Sequence, residues 1–299
     1  MLPEILAHAA CALGALSDFV SAKRLLAEAT DRAAEDESRL RVVRYASAKV
    51  AFWAGEAGAV VDLLGEAVLP ADPRLRMEML LILAMSMVMV DGRDAFTRGL
   101  DLVLRAEALV GHSADGSPVS EALRDDPVAR VQCAKARVAC CYFSGEYAKG
   151  ASAAEAAVEI ARRAGLRFDE CAHLHNAGEQ HLRGGERDRA RVALLASNEI
   201  ARDIGAERST QHNDVLLAYL DASSERLDHI ADAARAASDS WQELHARYWL
   251  GHLFAAAGAP LARPTLDRAL VLAGQLKVRT MADECTRALK NLPAVDDPN

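Results

Sequence analysis

Cys171 to Arg202 reads CAHLHNAGEQHLRGGERDRARVALLASNEIAR. It begins with a helical stretch whose small residues, Ala177 and Gly178, sit mid-way, then breaks at Gly184-Gly185. A second helical stretch follows, with Ala190 near its start and Leu194 and Ser197 near its end. The spacing predicts two helices joined by a tight turn. Glycine suits the left-handed conformation that ends the first helix, and the small mid-helix pair lets the second helix lie close.

Working outward in both directions, the same pattern returns seven times, at intervals of roughly 36–40 residues. The small central residue is Ala10, Ala48, Ala84, Val138, Gly178, Val215 and Gly251 in turn. The breaks fall at Ser17-Asp18, Gly55, Asp91-Gly92, Gly145, Gly184-Gly185, Ala222-Ser223 and Gly258. A fixed period of this length predicts stacked helical hairpins, each too thin to bury its own apolar face and each covered by its neighbours. Strand-like alternation is nearly absent, so the chain reads as all-α.

The pattern resembles the tetratricopeptide repeat, whose consensus is 34 residues long. Leu174, Ala177-Gly178, His181, Gly185, Ala190, Leu194 and Ser197 fall on its signature positions without a gap. The longer period is similar to the C-terminal arrays of bacterial multidomain Ser/Thr kinases and nucleotide-switch ATPase regulators. The resemblance implies a right-handed α-solenoid of about seven hairpins, a single body over residues 1–292. Val278 to Leu292 reads as a capping helix and 293–299 as a frayed tail. One interruption, around Gly111 to Pro118, stretches the spacing to about 54 and marks 111–125 as a hinge or insertion.

Composition narrows the function. The 299 residues carry a net charge of −8, with Asp and Glu interspersed among the Arg, which argues against a nucleic-acid partner. The most apolar run, Met77 to Val90, holds Glu78 and is too short to span a bilayer; it predicts a buried helix. No basic leader precedes the first helix, so a cytoplasmic location is expected. Six cysteines without CxxC spacing read as buried reduced thiols. No phosphate loop, nucleophile elbow or metal motif is present, so no catalytic residue, metal ligand or cofactor is assigned. His175 and Glu179, four apart, could share a metal, but read more simply as a solvated pair.

In this family the first helix of each hairpin lines the concave face, so the resemblance places a groove on particular residues. They are Tyr45, Lys49 and Phe52 in the second hairpin, and Lys135 and Tyr142 in the fourth. The fifth adds His175, Asn176 and Glu179, the sixth His212 and Asn213, and the seventh Tyr248, Trp249 and His252. Aromatic rings, imidazoles and amides on one surface suit a peptide or a partner helix. Trp53 and Trp249 have a second reading as hairpin core, and the repeated His-Asn a second reading as a relic of duplication. Binding of an acidic C-terminus through the family's Lys–Asn clamp is disfavoured, because Ala139 stands where the Asn belongs. The expected function is a non-catalytic protein-interaction scaffold. The alternative is an effector-sensing array of a larger bacterial signalling kinase or ATPase regulator. Self-association through the terminal helices is a further expectation, since their outer faces keep apolar residues.

Overall fold

The computed structural model describes residues 2–16, 18–111, 123 and 126–293. Among them every regular element is a helix, and within each of two compact units each helix packs on the next in sequence. Contacts gather into two compact units, Met1–Ser144 and Gly145–Asn299.

The first unit holds α1 (Pro3–Ala15), α2 (Phe19–Ala33), α3 (Glu37–Trp53), α4 (Ala57–Leu64) and α5 (Pro73–Asp91). A 3₁₀ turn at Gly92–Ala95, α6 (Phe96–Val110) and α7 (Pro127–Ser144) complete it. Its core is strung out as successive clusters. Leu6, Ala10, Ala22, Leu26, Val43 and Val50 form one. Ala48, Val60, Leu64, Met79 and Leu83 form the next, and Met77, Leu80, Ala84, Val103, Ala106 and Ala136 the third. The apolar run from Met77 is a buried helix, as expected. Asp36 and Asp72 cap α3 and α5, accepting backbone N–H bonds in the first turn.

The second unit holds α8 (Tyr147–Arg163), α9 (Arg167–Arg183), α10 (Arg187–Asp203), α11 (Glu207–Leu220) and α12 (Ser224–Ala236). It ends with α13 (Ser240–Ala256), α14 (Ala262–Gln275) and α15 (Arg279–Asn291). Besides the sequential contacts, α9 packs on α11, α11 on α13 and α13 on α15, so alternate helices make one layer. The C-terminal helix expected after Leu276 is α15, buried through Met281 and Cys285.

The small central residues do what the spacing predicts. Ala10, Ala48, Ala84 and Val215 are fully buried. A Cβ on Gly178 would lie 2.6 Å from Leu194 Cγ, and one on Gly251 2.7 Å from Leu266 Cδ2. In both hairpins the leucine of the second helix rests on bare backbone of the first. The turns reuse one motif. Glu186 N–H reaches back to His181 O at 2.8 Å while Gly185, at φ 86°, turns the chain. The same six-residue closure recurs between hairpins, from Leu166 to Ala161 and from Ala206 to Ala201.

Among the described residues no helix is long and apolar enough to cross a membrane. None of the six cysteines forms a disulfide; five are buried and Cys11 is partly exposed. Of the expected hinge or insertion at 111–125, residues 112–122, 124 and 125 lie outside the described residues, as do 294–299 of the tail. Leu2, Ile5 and Val20 keep more than half their surface exposed on the first two helices.

Candidate functional site

In the first unit the candidate residues of α3 form a small polar cluster. Tyr45 Oη donates to Glu78 of α5, and Lys49 Nζ reaches the same carboxylate at 3.3 Å. The Lys49 ammonium also lies 5.4 Å from the Trp53 ring centre. Burial and then the Glu78 carboxylate raise the Tyr45 phenol above its ordinary pKa. Phe52 packs half-buried on the neighbouring core, and Trp53 stays 38% exposed. Lys135 is exposed on α7, while Tyr142 is half-buried and meets Phe143 edge-on at 5.1 Å.

The second unit brings far more together. Along the layer α9–α11–α13 three imidazoles stand in file, with His175 and His212 ring centres 6.1 Å apart and His212 and His245 6.5 Å apart. Trp241 extends the file, 4.9 Å from His245. Asn213 is fully buried, and its amide is satisfied on both sides. Its Nδ2 donates to Ser197 Oγ at 2.9 Å and Asn198 Oδ1 at 2.8 Å. Its Oδ1 accepts from His175 Nδ1 at 2.7 Å, which places the His175 proton on Nδ1. Asn176, next to His175, is half-buried.

Arg183, the last residue of α9, is the centre of the second feature. Its side chain is 3% exposed. Nη1 donates to Glu284 Oε2 on α15 at 2.8 Å, and Nε to Glu179 Oε1, one turn back on α9, at 3.3 Å. The guanidinium carbon lies 5.0, 5.2 and 5.9 Å from the ring centres of Tyr248, Trp249 and Tyr147. The two phenols complete Glu284: Tyr248 Oη donates to Oε2 at 2.7 Å and Tyr147 Oη to Oε1 at 2.8 Å. Burial pushes the Glu284 carboxyl up. The Arg183 charge and the three hydrogen bonds outweigh it, so the group stays ionised below its usual range. Tyr147 rises to about 12, chiefly through burial.

His175 and Glu179 are therefore not a solvated pair. Glu179 is buried, committed to Arg183, and 3.9 Å from His175 Nε2. Of the residues expected to line an open groove, Tyr45, Glu179, Asn213, Tyr248 and Trp249 lie inside, and His175, His212 and His252 are half-buried. Trp249 takes its core reading, 5% exposed, and Trp53 does not.

Four ring nitrogens of this interior, Nε2 of His212, His245 and His252 and Nε1 of Trp249, are buried without a hydrogen-bond partner. Burial lowers His212 to about 3, helped by the neighbouring His175 and His245, and lowers His245 to about 4. His252 is lowered as well, again mainly by burial. His212 and His245 are therefore neutral at pH 7. Among the described residues no three His, Cys, Asp or Glu side chains are placed to hold a metal ion.

The residues that organise this interior but were not singled out in the sequence are Arg183, Glu284, Tyr147, Ser197 and Asn198. Arg183 ends α9, the first helix of the hairpin from which the repeat was read, so its place beside the turn was legible although its partners were not. Glu284 sits on α15, outside the repeated pattern, and Tyr147 opens α8.

No protein-family model matches the chain, and no curated protein matches it.

Proposed function

We propose that the chain is a non-catalytic recognition module of tetratricopeptide-repeat type, a right-handed solenoid of about seven hairpins with α15 as its cap. It binds a peptide or a partner helix along the layer formed by the first helices of its hairpins, in the cytoplasm. What carries this reading is the file of His175, His212 and His245, which continues into Trp241. Successive helices of one layer offer stacking rings and ring nitrogens along a line, and an extended segment presents backbone groups along a line. The close Gly178–Leu194 and Gly251–Leu266 contacts support the repeat register on which the line rests.

Panning a peptide library against the full chain tests it. His175→Ala should weaken a selected peptide by at least about tenfold, a typical loss for a contributing interface residue, while helical circular dichroism is kept. Peptide affinity indifferent to His175 would count against the reading.

A second reading, an effector-sensing array of a larger bacterial signalling regulator, is favoured by the four unpartnered ring nitrogens. A small molecule that hydrogen-bonds to them would raise the melting temperature in a thermal-shift screen.

A further inference from the structure

The surroundings of Arg183 have the make-up of a receptor for a guanidinium ion. Three aromatic rings stand around the flat cation, and carboxylates from two helices take its N–H edges. The rings and carboxylates come from α8, α9, α13 and α15, so no single helix could make this site. Two phenols orient Glu284 toward the cation, which a chance surface ion pair does not have. The ligand differs from a free one only in being tethered to the end of α9.

Beside this site lie the unpartnered nitrogens of His252, whose ring is 4.5 Å from that of Tyr248, and of Trp249, whose ring faces Arg183; those of His245 and His212 follow along the file. Buried polar groups are ordinarily matched, so an interior that leaves four unmatched is one that opening would relieve.

We propose that Arg183 is a cis-acting guanidinium ligand whose seat among Tyr147, Tyr248, Trp249, Glu179 and Glu284 latches α15 onto the helix layer, and that release of this latch uncovers the imidazole file. That the uncovered file then meets a partner rests on the recognition reading above; the cage and the latch do not.

The test uses the full chain and hydrogen exchange. Arg183→Ala should speed exchange of the α15 amides on the order of a hundredfold, since breaking a buried ion pair strands its partner charge. Methylguanidinium at about 20 mM, far below denaturing concentrations, should restore most of the protection by filling the vacated cage. Urea, which is flat but neutral, and methylammonium, a cation without the fork, should not. Reactivity of His212 and His245 toward diethylpyrocarbonate should rise at least about tenfold in the same variant. Unchanged α15 exchange, equal rescue by methylammonium, or unchanged imidazole reactivity would each overturn the proposal. Should Arg183→Ala not fold, Glu284→Gln replaces it: faster exchange confined to α15 supports the latch, and exchange rising uniformly across the unit refutes it. None of these readouts involves a partner, so failure of the recognition reading leaves them untouched.

Discussion

At the scale of single residues, the two central glycines and the buried imidazoles carry the sharpest expectations. Alanine outranks glycine as a helix former by about 1 kcal/mol, so Gly178→Ala and Gly251→Ala would stabilise an isolated helix. Here the new methyl meets a leucine at well under van der Waals distance. Overpacking of this kind costs about 1–3 kcal/mol, which outweighs the helix gain and leaves each variant up to about 2 kcal/mol less stable in urea unfolding, with an unchanged m value. The histidines set a pH dependence. A histidine held neutral when folded takes up a proton on unfolding wherever the pH lies between its folded value and the ordinary 6.5. The unfolded state then binds more protons, and stability rises with pH across that window. The window runs upward from about 3 for His212 and about 4 for His245. The melting temperature should be flat above pH 6.5 and fall below it, each histidine contributing about 1.4 kcal/mol per pH unit. Replacing both by Gln should flatten the fall between pH 6 and 4.5. Glu284, lowered by Arg183, adds a loss in the same direction only below its own unfolded value near 4.5.

At the scale of helices and turns, most of the architecture is local and could be read in advance. Hairpin period, small central residues and turn glycines all act within a few dozen residues. Gly55, Gly145, Gly185 and Gly258 indeed take positive φ at the expected breaks. The turns between hairpins were less visible because several manage the same conformation without glycine. Ser238 (φ 58°) and Lys277 (φ 56°) occupy the left-handed region with a Cβ present, as does Ala222 (φ 53°) at the break within the sixth hairpin. That conformation costs a non-glycine residue roughly 1–2 kcal/mol. Ala222→Gly and Ser238→Gly should therefore each raise the unfolding free energy by about 0.5–1 kcal/mol, after the glycine's greater unfolded-state freedom is subtracted. A melting temperature lowered by either change would show that the strain is relieved elsewhere. The Arg183 cage lay beyond such reading. Tyr147 and Glu284 are 137 positions apart, and whether they meet depends on the summed rotation of every intervening hairpin. Within the second unit, the groove residues of α9, α11 and α13 share one layer. Whether that layer faces solvent or closes on itself is settled by curvature, which no single repeat encodes.

At the scale of whole units, the second half of the chain carries its own closure. All partners of Arg183 named above belong to Gly145–Asn299. That segment expressed alone should give a helical spectrum and one cooperative melt. Ending it before Arg279 should remove about 3–5 kcal/mol, because Arg183 would lose Glu284 as the partner of its charge. Calorimetry of the two fragments measures the difference. The bond from Tyr147 to Glu284 joins the first helix of this unit to its last. A plain file of helices lengthens under load as a spring does, every joint yielding a little. A file tied end to end behaves as a hoop: it resists extension until the tie parts, then gives up its length in one step. Pulled at its termini, this half should thus act as a force threshold rather than a graded compliance.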